Sequence, residues 1–166
     1  MKTQLLAALI LLSACVSRDI DVAAKFDAKE AAYVLRQGSG KITGQGFMRQ
    51  NGGGVVTCAG EDVNLFPATR YATERLGKIY GNPAGGRINV YQGASAKGIP
   101  PGYLKYRRTA TCDAEGDFEF KGVAAGTYYV QTRVVWTVGT YEIPEGGSIA
   151  KRITLRPGQK LRVLLN

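Results

Sequence analysis

The sequence predicts a mainly β protein, a single antiparallel β-sandwich of about seven or more short strands with one short helix near the N-terminus. The chain has 166 residues, which is the length of one domain. Its 22 glycines among 166 residues make about 13% of the chain, against an average usage of roughly 7%. They separate short segments rich in Tyr, Phe and Val, a pattern typical of strands joined by turns. The 21% of charged and 45% of hydrophobic residues are those of a globular chain rather than a disordered one.

The chain contains no histidine. This absence excludes Ser-His-Asp and Cys-His nucleophile systems and removes the commonest ligand of transition metals. Acidic residues at 61–62 and at 113, 115 and 117 are interpreted as solvated turns, because the second group lacks the glycine position and late glutamate of a calcium loop. We therefore expect no enzymatic activity, no metal site and no dissociable cofactor.

Residues 1–14 have the pattern of a signal peptide. Lys2 precedes eight apolar residues from Leu5 to Leu12, too few to cross a bilayer, which takes about 20. The run ends in Leu12-Ser13-Ala14-Cys15, which resembles the lipobox of bacterial lipoproteins. The resemblance implies cleavage before Cys15 and covalent lipid on its thiol.

A lipidated cysteine implies a protein held at a membrane by its lipid anchor. Val16 follows the cysteine where enterobacterial lipoproteins retained at the inner membrane have aspartate, so the resemblance implies the outer membrane, facing the periplasm. Residues 15–26 would then be the lipidated cysteine and a tether. With a formal net charge of +9 for the whole chain, we expect the partner to be another envelope protein or an anionic envelope polymer, and not nucleic acid.

A short helix is predicted over 27–38. Asp27 and Glu30 form a capping signal, and Gly38 lies where a helix-ending glycine is common. Apolar residues recur at helical spacing between them, at Ala28, Ala31, Ala32 and Leu35.

Strands are predicted where β-branched and aromatic residues alternate with polar ones between turn residues. In order, they span 41–48, 55–58, 62–67, 88–91, 103–112, 118–120, 128–137, 149–155 and 160–165. The Asn-Gly-Gly-Gly segment at 51–54 predicts a hairpin between the first two strands. Residues 70–80 are interpreted as a helical or irregular excursion, and 92–102 as a loop.

One segment carries a family resemblance. Residues 113–130 read DAEGDFEFKGVAAGTYYV, which is similar to the D-x-x-G-x-F-x-F-x-x-[VL]-x-x-G-x-Y motif of carboxypeptidase regulatory-like domains and of the related transthyretin-like and Cna-B-type sandwiches. The resemblance implies such a sandwich over 40–166, with Phe118 and Phe120 in its core and a hairpin as its last two strands. These domains are not themselves catalytic and serve many roles.

The three cysteines divide by position. With Cys15 assigned to lipid, Cys58 and Cys112 remain as a pair in an oxidising compartment, which predicts a disulfide. The alternative is two buried thiols that act as small hydrophobic residues.

A basic and aromatic segment is the possible binding patch. In a strand over 103–112, alternation would place Tyr103, Lys105 and Arg107 on one face, and Tyr106 and Arg108 on the other. Such a surface suits an anionic polymer, while the alternative is an edge strand whose charges prevent sheet-to-sheet pairing.

Two functions remain open for this chain. The first is a protein-binding or scaffold module of the cell envelope. The alternative is a glycan- or peptidoglycan-binding module that stacks sugar rings on exposed aromatic side chains. Exposure of Tyr91, Tyr103 and Trp136 distinguishes the two, since aromatic residues exposed together in a groove favour glycan binding and buried ones favour a packing role.

Overall fold

The computed structural model describes residues 18–92, 94–96 and 98–166. The predicted signal peptide and Cys15 lie outside the described residues. The strands are β1 (Arg18–Ile20), β2 (Gln37–Arg49), β3 (Val55–Thr57), β4 (Asp62–Pro67), β5 (Gly85–Asn89), β6 (Ala94–Ala96), β7 (Arg108–Thr111), β8 (Asp117–Val123), β9 (Gly126–Val138), β10 (Ile143–Leu155) and β11 (Lys160–Leu165). The α-helices are α1 (Ala28–Ala31) and α2 (Arg70–Tyr80), and short 3-10 helices span Ala32–Leu35, Val90–Gln92 and Tyr103–Lys105.

The predicted mainly β sandwich is confirmed. The first sheet is antiparallel, with strand order β5-β10-β9-β4-β7. The second sheet is built on β2, which pairs in parallel with β11 on one side and antiparallel with β8 and β3 on the other. A separate parallel pair joins β1 to β6.

The main core lies between the two sheets. Phe118 and Phe120 of β8 are buried on the same face of their strand, with ring centroids 6.1 Å apart. On β9, Tyr128, Val130 and Val134 are buried opposite them. The predicted core positions of Phe118 and Phe120 are thus correct, because alternate side chains of a strand point to opposite faces.

A second core lies on the outer face of the first sheet and was not predicted. Helix α2 covers this face, so Tyr129 is fully buried although its neighbours in β9 point to the main core. The Thr69 side chain caps the helix by accepting a hydrogen bond from the Ala72 amide at 3.1 Å. Gly81 ends it at a left-handed φ of 70°. The helical interpretation of 70–80 is confirmed.

The N-terminal segment packs on the domain. Helix α1 and the 3-10 helix after it form the predicted short helix, and Asp27 caps α1 as expected. The helical residues end at Leu35, so the predicted end at Gly38 is wrong, because Gln37 and Gly38 already belong to β2. Residues 18–26 do not extend as a free tether, because Ile20 is buried and Phe26 packs against the second core.

The predicted strand over 103–112 is wrong in its first half. Residues 103–105 form a 3-10 helix, and only 108–111 form a strand. The reason is the burial of Tyr103, whose ring stacks on Phe66 in the second core at 5.2 Å between centroids. A left-handed Gly102, at a φ of 86°, precedes this turn.

The predicted last hairpin is also wrong. Strand β10 lies in the first sheet, whereas β11 crosses to the second sheet and pairs with β2. The turn at 156–159 therefore joins two sheets. Smaller differences are that β5 ends at Asn89, and that β6 lies within the predicted loop over 92–102.

The predicted disulfide between Cys58 and Cys112 is confirmed, with Cα atoms 5.7 Å apart. Cys58 directly follows β3 of the second sheet and Cys112 directly follows β7 of the first. The bridge therefore links the two sheets across the core. None of the helices in the described ranges is long and apolar enough to span a membrane.

Candidate functional site

A groove of about 500 Å³ lies where the two sheets separate. It is lined by the end of β2 and the turn after it, by β5 and the 3-10 helix that follows, and by the ends of β9 and β10 that meet at their hairpin. The volume is within the range of small-molecule sites.

Trp136 forms the boundary between the groove and the main core. It follows Val134 on the inward face of β9, where it is half-buried and packs against the core. Its indole Nε1–H donates a hydrogen bond to Oε2 of Glu145 at 3.2 Å. Glu145 is the residue directly opposite on β10, so the ring is held on both its apolar and its polar side.

Gly146 allows the Trp136 ring to lie close to β10. The glycine has a φ of 90°, in the left-handed region. A Cβ atom at this position would lie 2.1 Å from the carbonyl oxygen of Val134 and 2.7 Å from the Trp136 ring. A larger residue here would displace the indole from its position in the groove.

Tyr91 contributes the second aromatic ring, and 67% of it is exposed. It lies in the 3-10 helix after β5. The Asn89 side-chain oxygen accepts hydrogen bonds from the backbone amides of Tyr91, at 3.0 Å, and Gln92, at 2.9 Å. This side-chain-to-backbone bonding favours a turn directly after the strand, and it holds the tyrosine at the groove without burying it.

Two arginines and an asparagine supply polar groups. Arg87 and Asn89 alternate with Ile88 on β5, and Ile88 packs against the second core on the other face. Arg87 and Asn89 are exposed on the inward side of the first sheet, where the second sheet does not cover β5. Arg49, also exposed, lines the groove from the end of β2.

The arrangement suits a ligand that has apolar faces and a polar rim. An exposed tyrosine and a fixed tryptophan offer ring faces for stacking, while arginine, asparagine and glutamine side chains at the edges offer hydrogen bonds. Within the residues that the structure describes, no group of three or more His, Cys, Asp or Glu side chains could hold a metal ion.

The structure leaves Lys105 as the one exposed member of the predicted binding patch. Tyr103 is only 3% exposed, and burial raises the pKa of its hydroxyl well above the usual value. Tyr106 lies beside Phe26, with ring centroids 5.6 Å apart. The Arg108 guanidinium donates hydrogen bonds to the carbonyl oxygens of residues 121 and 122, while Lys105 is exposed and Arg107 half-buried. The predicted alternation is wrong because the segment turns at 103–105, whereas binding by the remaining exposed residues stays a prediction.

Sequence reasoning selected Tyr91 and Trp136 but missed their polar neighbours. Arg49, Arg87 and Glu145 come from three distant segments, and no local pattern joins them. Asn89 carries a usable signal, since an asparagine at the end of a strand favours a turn in which its side chain bonds to the backbone two residues on.

No protein-family model matches the chain, and no curated protein matches it. Among solved structures, it is similar to the crystal structure of a "putative carbohydrate binding protein" from Pseudomonas aeruginosa. The two chains are 26% identical and superpose with a TM-score of 0.72, and the similarity covers 86% of this chain and 97% of that one.

Proposed function

We propose that this protein is a glycan-binding module of the cell envelope that holds a saccharide in the groove between Tyr91 and Trp136. The observation that carries the proposal is that an exposed tyrosine and a half-buried tryptophan line the same polar-edged groove. Of the three aromatic residues whose exposure distinguishes glycan binding from a packing role, Tyr91 is exposed, Trp136 is half-buried at the groove and Tyr103 is buried, so the criterion is met in part. The carbohydrate-binding description of the similar structure supports it.

Binding in such a groove requires no catalytic group. Sugar rings present apolar C–H faces that pack on aromatic rings, and their hydroxyls bond to polar side chains at the edges. Trp136 is held by the core and by Glu145, and Tyr91 by the turn that Asn89 caps. Since the Trp136 ring and the backbone at Tyr91 are held before a ligand arrives, the ordering entropy lost on binding is confined mainly to the exposed Tyr91 side chain.

Calorimetric titration with oligosaccharides, including peptidoglycan fragments, tests this proposal. Trp136→Ala and Tyr91→Ala should each weaken binding about tenfold, because a stacked aromatic contact contributes roughly 0.5–1.5 kcal/mol beyond its buried area. Tyr141→Ala is the matched control, since Tyr141 is 89% exposed and does not line the groove. Binding that survives both groove substitutions, or that Tyr141→Ala weakens equally, would contradict the proposal.

We also propose that the module is anchored to the outer membrane by lipid on Cys15 and faces the periplasm. The similarity of residues 12–15 to a lipobox supports this. Strand β1 already begins at Arg18, so Cys15 lies three residues away, a reach of at most about 11 Å. The anchor would thus hold the domain close to the bilayer.

Labelling with radioactive palmitate and membrane fractionation test the anchor. Cys15→Ala should abolish labelling and leave a precursor or a released protein. Cys58→Ala, which removes a different cysteine, should keep the label. Labelled Cys15→Ala protein would contradict the lipid anchor without bearing on the groove.

A further inference from the structure

We infer that the groove selects acidic saccharides, in which a sugar ring carries its own carboxylate, over neutral ones. The inference rests on the proposed glycan-binding function and names the ligand class of the same groove. It is based on the charges that surround the two aromatic rings.

Arginine side chains line the groove from both sheets. Arg49 lies at the end of β2 in the second sheet, and Arg87 lies on β5, the edge strand of the first. Both side chains are exposed. Neither guanidinium forms a salt bridge with any carboxylate among the described side chains, so both can bind a ligand.

The groove contains one carboxylate against these two cations. Glu145 is the acidic residue among those that line it. Its Oε2 atom accepts the hydrogen bond of the Trp136 indole, which assigns it to positioning the ring. The remaining formal charge of the lining residues is therefore +1, and both cations are at the solvent-facing edges.

The kind of cation matters as well as the charge. A guanidinium presents parallel N–H donors that match the two oxygens of a carboxylate, and such charge-assisted pairs are stronger than neutral hydrogen bonds. A uronic acid places that carboxylate on the pyranose ring itself. A ring packed on Tyr91 or Trp136 can then direct its carboxylate to Arg49 or Arg87 at the edge.

Calorimetry with uronate tetramers and their methyl esters isolates the charge from the sugar ring. We would titrate the folded domain with tetragalacturonate and tetraglucuronate, and with the fully esterified form of each. The acid forms should bind at least tenfold more tightly than the esters, and added salt should reduce this difference because the arginines are exposed.

Single variants assign the selectivity to the two arginines. Arg87→Gln and Arg49→Gln should each lower the affinity for the acids several-fold and leave that for the esters unchanged. Arg133→Gln is the matched control, because Arg133 is exposed on the face of β9 opposite to Trp136. A thermal melt confirms that each variant is folded.

The outcomes separate the two proposals. Equal binding of acids and esters that is lost in Trp136→Ala would overturn the acidic selectivity and leave glycan binding in place. Selective binding of acids that Arg133→Gln reduces as much as Arg87→Gln would also overturn it, because it would show a nonspecific charge effect. If neither acids nor esters bind, the acidic selectivity is overturned. Binding of neutral N-acetylglucosamine oligomers would then leave glycan binding in place, and failure of these to bind as well would overturn both proposals.

Discussion

Trp136 belongs to both the core and the groove, and a single glycine makes this possible. Gly146 lies against the indole ring at a backbone conformation that L-residues rarely adopt. Gly146→Ala should lower the free energy of unfolding by about 1–3 kcal/mol because of backbone strain, and it should also weaken saccharide binding by displacing the ring. Chemical denaturation and calorimetry measure the two effects.

Gly52→Ala is the control for this substitution. An added Cβ at Gly52 would meet no atom within 4 Å, so stability and binding should stay near those of the unmodified protein. A Gly146→Ala variant as stable as Gly52→Ala and equally active would contradict the role assigned to the close contact.

Adjacent residues of β8 test the register of the core. Phe120 is 3% exposed in the main core, whereas Glu119 points outward and forms ion pairs with Lys41 and Lys121. Phe120→Ala should cost roughly 3–5 kcal/mol, and Glu119→Ala should cost less than about 1 kcal/mol, because exposed ion pairs contribute little. The denaturant midpoint of each variant measures this difference, and equal midpoints would contradict this register.

At the scale of elements, Glu74 and Lys78 of helix α2 attach the N-terminal segment, and Lys78 donates one hydrogen bond to the Asp21 carbonyl oxygen at 2.7 Å. The Glu74 carboxylate accepts hydrogen bonds from the amides of Ala23, at 2.9 Å, and Ala24, at 2.8 Å. Lys78, one helical turn later, donates to the same carboxylate at 2.7 Å. The Lys78 hydrogen bond, followed by those of the two amides, lowers the pKa of Glu74 from 4.5 to about 2.

This pKa predicts that the hydrogen bonds from Ala23 and Ala24 to Glu74 are acid-labile. Because the folded-state pKa is depressed, the stabilisation is complete above pH 4.5 and is lost as the pH falls through about 2. The NMR amide shifts of Ala23 and Ala24 should therefore titrate near pH 2. A midpoint near 4.5 would show that the carboxylate does not hold these amides.

A variant separates this attachment from general acid effects. Glu74→Gln retains one acceptor oxygen and loses the charge, so the amides of Ala23 and Ala24 should exchange faster with solvent at neutral pH. Glu115→Gln changes a glutamate in an exposed turn and should leave their exchange unchanged.

The elements that sequence alone predicted best are those with a complete local signal. Strand β4 has the predicted bounds, since Val63 and Leu65 alternate with polar residues and a turn or a proline bounds each end. The strand over 103–112 failed because burial of Tyr103 against α2 is a tertiary effect that alternation does not record. The pairing of β11 with β2 was not predictable from the turn at 156–159, because the same turn suits a hairpin or a crossing between sheets.

The groove was predictable only in part, because its residues come together only in the folded structure. Tyr91 and Trp136 were identifiable as candidates because aromatic rings are the groups that stack on apolar faces, but their exposure, like the burial of Tyr103, is set by the fold. The residues next to Arg49 and Arg87 in the sequence form no motif that indicates a binding site. The two arginines line one groove only because β2 and β5 meet at one end of the sandwich.

At the scale of the whole molecule, the disulfide joins the two sheets at the ends of β3 and β7. It closes a loop with a sequence separation of 54 residues, for which the chain-entropy model gives about 4 kcal/mol. The double variant Cys58→Ala/Cys112→Ala should unfold with a free energy lower by about that amount. Reductant should destabilise the unmodified protein and have no effect on the double variant.

Intact mass after alkylation without reductant reports the same bond in exported protein. Neither Cys58 nor Cys112 should be alkylated in the folded or the denatured protein. Alkylation of both residues after denaturation alone would show that the bridge is not formed in the envelope.

The fluorescence of Trp136 tests the central claim most directly. It is the single tryptophan of the chain, and it lines the groove, so its emission reports on that site alone. Titration with a saccharide that calorimetry shows to bind should change the emission saturably, with the same dissociation constant, and Tyr91→Ala should weaken both signals together. Saccharide binding that leaves the Trp136 emission unchanged would place the ligand elsewhere and contradict a glycan site in this groove.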